Sequence, residues 1–171
     1  MAALSEDPNA IELELIAATI EQAPNLADLL ELYTQELGPL FGLERPKNGR
    51  YGYANLPLYW SDPLRHPFLI RIRGEFAGFC LVCRTSGLKG GAEVWDMAEF
   101  FVKREFRKQS VGTRIARQVW RCFPGPWQIR ILCSNVAASE FWHQAARAYA
   151  PGRVTIEAFN RDGKPWTLLT F

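Results

Sequence analysis

The stretch that decides the fold is Val102-Lys-Arg-Glu-Phe-Arg-Lys-Gln-Ser-Val-Gly-Thr113. An apolar run from Val94 to Val102 precedes it. After it, Val111, Ile115, Val119 and Trp120 fall at the spacing of a helix with one inner face. A chain that leaves a strand and enters a helix exposes unpaired backbone N–H groups at the helix start. With the positive end of the helix macrodipole, these form a site for a pyrophosphate. Gly112 lets an anion approach the backbone closely, and Lys103, Arg104, Arg107 and Lys108 gather positive charge at the same end. Ser110 stands at the expected N-cap, a position serine fills well. The plain alternative is a capped helix beside a solvated basic face.

Working outward, the run Val94 to Val102 is apolar on both faces, as suits a strand in the middle of a sheet. Strict alternation sets Val94, Ala98, Phe100 and Val102 on one side and Trp95, Met97 and Phe101 on the other. It also sends Asp96 and Glu99 to opposite faces. Upstream, Phe68, Ile70 and Ile72 alternate with Leu69, Arg71 and Arg73. Gly74–Glu75 turns the chain and Phe76 to Val82 returns, which predicts a hairpin. Further back, Ile11 to Thr19 predicts a first strand. Asn25 is placed to cap a helix with apolar Leu26, Leu29, Leu30, Tyr33 and Leu37, ended by Gly38 and Pro39. Between that helix and the hairpin, residues 42–67 carry Pro46, Gly49, Gly52, Pro57, Pro63 and Pro67, which forbid a long regular element, interleaved with Tyr51, Tyr53, Tyr59 and Trp60. A loop this long is usually functional or mobile.

Downstream, Trp127 to Cys133 predicts a strand and residues from about Val136 to Tyr149 a helix. Val154 to Phe159 and Trp166 to Phe171 flank Asn160–Gly163 as a closing hairpin. The chain shows no repeat, low-complexity tract or dividing linker. Residues 1–171 therefore read as a single domain of the α/β class: an α/β sandwich with a mixed, mostly antiparallel central sheet flanked by helices.

Composition narrows the function classes. The 171 residues are 48% hydrophobic and 22% charged, which is globular, and the formal net charge is only +2. That charge argues against general nucleic-acid binding, and no run reaches the roughly 20 apolar residues of a membrane span. Met1 to Ala10 holds acids and Pro8 instead of a basic start and an apolar stretch, so a secretory signal is not expected. The four cysteines, Cys80, Cys83, Cys122 and Cys133, fit a reduced cytoplasm. Cys80 and Cys83 form a CxxC, but on a strand this odd separation points them to opposite faces, and no metal site is expected.

The segment Glu99-Phe-Phe-Val102 followed by Phe106-Arg-Lys-Gln-Ser-Val-Gly112 resembles motif A of the GNAT superfamily of N-acetyltransferases. The core of that motif is Gln/Arg-x-x-Gly-x-Gly/Ala, matched here by Arg107, Ser110 and Gly112, with Ser110 in place of the first glycine. Leu132-Cys-Ser-Asn135, Ala138 and Phe141-Trp142 resemble the family's motif B, strand-Asn-x-x-Ala-x-x-Phe-Tyr, with Trp142 in place of the tyrosine. The order of elements over roughly residues 11–171 also agrees with that fold. The resemblance implies acetyl-coenzyme A as cosubstrate and no metal. The backbone of Lys108, Gln109, Ser110, Val111, Gly112 and Thr113 would wrap the pyrophosphate, with Arg107 and Lys108 supplying charge. The central strand would part from the next one near Val102, so that pantetheine pairs with Phe101 and Val102 while Asn135 holds its other side.

Transfer to an amine needs a base for the ammonium proton and a donor for the oxyanion, the latter expected from a backbone N–H near Phe101. The candidate bases are Glu99 and Asp96. A water chain, no side-chain base, or an ion pair of either acid with Arg71, Arg73 or Arg130 are the alternatives. Trp142 cannot reprotonate the departing thiolate and reads as a packing residue. His143 and Tyr149 are the nearest substitutes, though neither matches a motif position. Tyr51, Tyr53, Tyr59, Trp60, Glu44 and Asp62 are expected to frame a cationic acceptor or, equally, to seal the core. The expected activity is acetyl transfer to a primary amine of a small molecule, a peptide or a protein by direct attack. The alternatives are a non-catalytic acyl-coenzyme A-binding module and, more weakly, a nucleic-acid contact through Arg104, Arg107, Arg114, Arg117 and Arg121. The expected assembly is a monomer or homodimer, with the closing strand Trp166 to Phe171 available to a partner.

Overall fold

The computed structural model describes residues 11–88 and 90–171, so the expectation about Met1–Ala10 lies outside the described residues. Strand β1 (Leu13–Ala17) leads into helix α1 (Ala23–Phe41) and a short helix α2 (Leu58–Ser61). The hairpin of β2 (Arg65–Ile72) and β3 (Glu75–Ser86) and the central strand β4 (Glu93–Val102) follow. Helix α3 (Val111–Cys122), strand β5 (Trp127–Leu132), helix α4 (Val136–Tyr149) and the hairpin of β6 (Thr155–Arg161) and β7 (Lys164–Thr170) complete the chain. The seven strands make one sheet in the order β1-β2-β3-β4-β5-β7-β6. Every pairing is antiparallel except that of β4 with β5. Strand β7 is enclosed by β5 and β6, so the segment expected to reach a partner subunit is already paired on both edges.

Each face of the sheet carries its own core. Helices α3 and α4 close one face through Val111, Ile115, Val119, Trp120, Trp142 and Ala145, packed on Ile70, Cys80 and Val82. Helix α1 closes the other with Leu26, Leu29 and Leu30 against Leu69, Phe79 and Leu81. Burying each such leucine is worth about 1.5–3 kcal/mol, so α1 is held to the sheet by packing.

Three local expectations are corrected. Helix α1 starts two residues before Asn25, with Gln22 at its N-cap and Pro24 in its first turn. It also runs through Gly38 and Pro39 to Phe41. Pro39 lies in the last turn, where it disturbs little of the ladder. The stop is Gly42, in the left-handed region at φ 68° with its N–H on the Gly38 and Pro39 carbonyls. Ser110 occupies the N-cap of α3, but at φ 57°, and its side chain makes no capping hydrogen bond. A hydroxyl caps from the extended conformation, and the left-handed one aims it elsewhere.

The third correction concerns the central strand. Leu81 pairs with Glu99 and Val82 with Met97, which leaves Ala98 as an extra residue on β4. The bulge inverts alternation across it. Trp95 and Met97 therefore pack into the same core as Phe100 and Val102, while Ala98 and Phe101 face α1. Asp96 and Glu99, expected on opposite faces, emerge into the same space.

Candidate functional site

Strands β4 and β5 are paired only at Trp95–Trp127 and Asp96–Gln128. From Met97 onward β4 has no partner strand on that side, so the split opens well before Val102, where the sequence placed it. Two cavities meet there. The first, about 810 Å³, lies between α1, the turn before α3, and α4. The second, about 630 Å³, lies on the α1 side among β4, β5, the loop before α2 and the β6–β7 turn.

Of the residues expected to hold acetyl-coenzyme A, Phe101, Val102, Arg107, Lys108 and Ser110 line the first cavity, as do Val111, Gly112, Thr113 and Asn135. Gln109 does not. Lys108 and Ser110 both take the left-handed region, at φ 65° and 57°. For L-residues with side chains this conformation costs about 1–2 kcal/mol each. The turn keeps that strain, and it lies at the helix start that borders the first cavity.

Two motif residues act differently from expectation. The Arg107 guanidinium holds both Glu36 oxygens at 2.8 and 3.0 Å and donates through Nε to the Val102 carbonyl at 2.6 Å. That hydrogen-bonded charge keeps the Glu36 carboxyl below its ordinary range despite partial burial. Arg107 thus ties the turn to α1, and its charge is largely spent on Glu36. Lys108 and Arg117 line the same cavity without an ion-pair partner among the described residues. At Gly112 an added Cβ would sit 3.0 Å from the Phe141 ring, so this glycine admits α4 against α3. Asn135 caps α4, its Oδ1 accepting the Ala138 N–H at 3.1 Å.

The second cavity holds both acids that the sequence offered as bases, Asp96 and Glu99. Tyr33 donates its hydroxyl to Glu99 Oε2 at 2.5 Å, and Tyr53 donates to Oε1 at 3.2 Å. Desolvation raises the Glu99 pKa against the lowering effect of those two hydrogen bonds and of Arg130; Asp96 nearby raises it further. Burial, with Glu99 beside them, pushes both tyrosine hydroxyls up, so they stay protonated. Asp96, 2% exposed, is held by Arg130 at 2.6 Å, the ion pair that sequence offered as one alternative. Cys83 points into this cavity, its thiol 3.8 Å from Asp96 and pushed up to about 11 by burial and that carboxylate, whereas Cys80 is buried in the opposite core. Cys122 and Cys133 are exposed.

Of the aromatics expected around an acceptor, Tyr53 and Tyr59 line this cavity. Trp60 donates to the Ala18 carbonyl at 2.9 Å and closes the core, Asp62 pairs with Arg65, and Tyr51 and Glu44 lie outside. Buried Glu31 fixes the loop by accepting the Tyr51 and Gly52 N–H groups at 3.0 and 2.6 Å. Sequence reasoning missed Tyr33, Glu36, Arg117 and Arg130 as site residues. Tyr33 had a signal as a polar-tipped ring in the inner stripe of α1, and Arg130 was named only as a possible ion-pair partner of the acids. His143 and Tyr149 line neither cavity: Tyr149 packs on Trp120 and Phe171. Trp142, 7% exposed among Phe100, Phe141 and Trp120, is a packing residue.

The helix-start turn, the split in an otherwise continuous sheet and the cavity on each side of it make up the candidate site. The model of the acetyltransferase (GNAT) family matches residues 26–145, well over half of the chain, and the chain belongs to that family. Its activity is therefore of the N-acetyltransferase kind. Solved structures agree in fold. An acetyltransferase from Thermus thermophilus is 19% identical, with TM-score 0.66 over 93% of this chain and 96% of that one. RimL, a ribosomal alpha-N-protein acetyltransferase in complex with coenzyme A, is 16% identical, with TM-score 0.60 over 93% of each chain. A GNAT family acetyltransferase from Elizabethkingia anophelis with acetyl-CoA bound is 14% identical, with TM-score 0.55 over 93% and 97%. No curated protein matches. Among the described residues no helix is long and apolar enough to cross a membrane, and no group of side chains is arranged to hold a metal ion.

Proposed function

We propose that the protein transfers the acetyl group of acetyl-coenzyme A to a primary amine by direct attack, with Glu99 as the base. The observation that carries this is the meeting of the two cavities at the β4–β5 split, beside a desolvated carboxylate. The first cavity fits the cosubstrate: its turn offers backbone N–H groups, Lys108 and Arg117 offer unspent charge, and β4, on whose far end Phe101 and Val102 lie, has no partner strand on that side from Met97 onward. Gln109, Ser110, Val111, Gly112 and Thr113 contribute to the turn by backbone, and Asn135 flanks the arm. Bound there, acetyl-coenzyme A supplies an activated thioester. Glu99 takes the proton that the attacking amine must lose, and a backbone N–H near Phe101 steadies the oxyanion. Asp96 holds Arg130 in place and is the lesser candidate for the base.

The acceptor is a small molecule or a peptide. Tyr59 Oη, Asp96 Oδ1, Arg130 Nε and Trp166 Nε1 are buried without partners, and all four residues line the second cavity. Such donors and acceptors suit an amine with amide or carboxylate groups beside it, as a peptide N-terminus has. The site of action is the cytoplasm, as a monomer or homodimer.

The test is the thermal shift with acetyl-coenzyme A of wild type and of a Lys108→Glu, Arg117→Glu variant, followed by thiol release with short peptides, free amino acids and spermidine. A ligand that binds the native state raises its melting temperature. Stabilisation that the variant loses, with thiol release on a peptide or amino acid, is the expected result. Stabilisation without thiol release on any amine indicates a binding module, and no stabilisation at millimolar cosubstrate defeats the reading.

A further inference from the structure

We infer that the Tyr33 hydroxyl is the catalytic acid that protonates the departing thiolate, in relay with Glu99. This rests on the acetyl-transfer reading above. The acetyl group has to pass where the two cavities join, and six residues line both: Tyr33, Leu37, Phe100, Asn135, Ala138 and Trp142. Among these six side chains the Tyr33 O–H is the one acidic proton. Leu37, Phe100 and Ala138 have none, Asn135 caps α4 through its Oδ1, and neither its amide N–H nor an indole N–H titrates usefully. Glu99 lines the acceptor cavity alone, so a proton taken there needs a carrier to the cosubstrate side.

Tyr33 is built as that carrier. Its ring is held edge-on by Phe79 and Phe101, with centroids 5.7 and 5.9 Å away, and its hydroxyl sits 2.5 Å from Glu99 Oε2. The charged and titratable groups around the pair are Tyr53 from the loop before α2, Arg130 from β5 and Asp96 from β4. As the new C–N bond forms, the amine nitrogen gives its proton to Glu99. As the C–S bond breaks, the Tyr33 O–H proton goes to sulfur, and the proton on Glu99 moves to the Tyr33 oxygen. One proton passes from nitrogen to sulfur, and both side chains return to their starting states.

Tyr53 provides the control, because it donates to the same carboxylate but does not line the cosubstrate cavity. Tyr33→Phe and Tyr53→Phe each remove one hydrogen bond from Glu99, so both shift the acid limb of the pH–rate profile upward. With the fastest amine of the panel above, Tyr33→Phe alone is expected to lower the high-pH plateau of kcat, by about 10²-fold or more. A second readout needs no acceptor. The thiol of bound coenzyme A, followed by its thiolate absorbance against unliganded protein, should ionise about one to two pH units higher in Tyr33→Phe than in wild type or Tyr53→Phe. Equal plateaus for the two variants, or a bound thiol that titrates alike in all three proteins, overturns the relay. Failure of coenzyme A to stabilise even the wild type overturns the acetyl-transfer reading as well.

Discussion

The two cavities on either side of the β4–β5 split are built by different means. The first cavity, proposed for the cosubstrate, takes much of its lining from one contiguous stretch, Val102 to Thr113, where the chain passes from strand to helix through left-handed Lys108 and Ser110. The second cavity, proposed for the acceptor, takes its chemistry from side chains far apart in sequence: Tyr33 and Glu99 are 66 residues apart, and Asp96 and Arg130 are 34 apart. Backbone recognition of a common cosubstrate tolerates changes of side chain, such as serine for the first motif glycine. Side-chain recognition of an acceptor depends on each group being held by its neighbours.

The comparison is broken most severely at Glu99. Glu99→Gln keeps the shape and one acceptor oxygen for the two tyrosine hydroxyls but has no base, so kcat should fall about 10²–10⁴-fold while stabilisation by acetyl-coenzyme A persists. In the wild type the carboxylate form is the active one and burial raises its pKa. Activity should therefore increase with pH through a limb that lies above the ordinary carboxylate range near 4.5, a position read directly from a pH–rate profile. Gly78 tests the frame that both cavities share. A Cβ there would lie 2.1 Å from the Phe101 carbonyl oxygen, so Gly78→Ala must push β3 from β4, at a cost of about 3 kcal/mol or more in denaturant unfolding.

Asp96 sharpens the acceptor side. Asp96→Asn leaves the partly buried Arg130 without its closest counter-charge, which should cost about 2 kcal/mol of stability. Its effect on rate should stay well below that of Glu99→Gln, and the reverse ranking would make Asp96 the base. The smallest effect belongs to the cosubstrate side. Ser110→Gly relieves a left-handed residue but loosens the unfolded chain, for a net gain of about 0.5 kcal/mol. Acetyl-coenzyme A binding should be retained or improved, since no Ser110 capping bond exists to be lost.

Much of the fold was legible because its signals are local. The apolar spacing of Leu26 to Leu37, the alternation of Phe68 to Ile72 and the strand–turn–helix passage at Val102–Thr113 each specify an element without reference to another. Glu99 was legible as a candidate base from its place before the split. Ala98 was not legible as a bulge, because its extra register position exists only relative to Leu81 and Val82 on β3. Nor was Arg107 as a clamp, since Glu36 lies 71 residues away on α1.

The amino-acid sequence by itself determined the α/β order of elements, the strand–turn–helix passage at Val102–Thr113 and the family. Backbone geometry near a strand end and a helix start is set by neighbouring residues. Tertiary structure alone decided that Asp96 and Glu99 share one cavity, that Arg107 serves Glu36 instead of standing free, and that a tyrosine from α1 stands where the cavities join. Those outcomes depend on strand register and on packing across the sheet, where residues distant in the chain desolvate and charge one another.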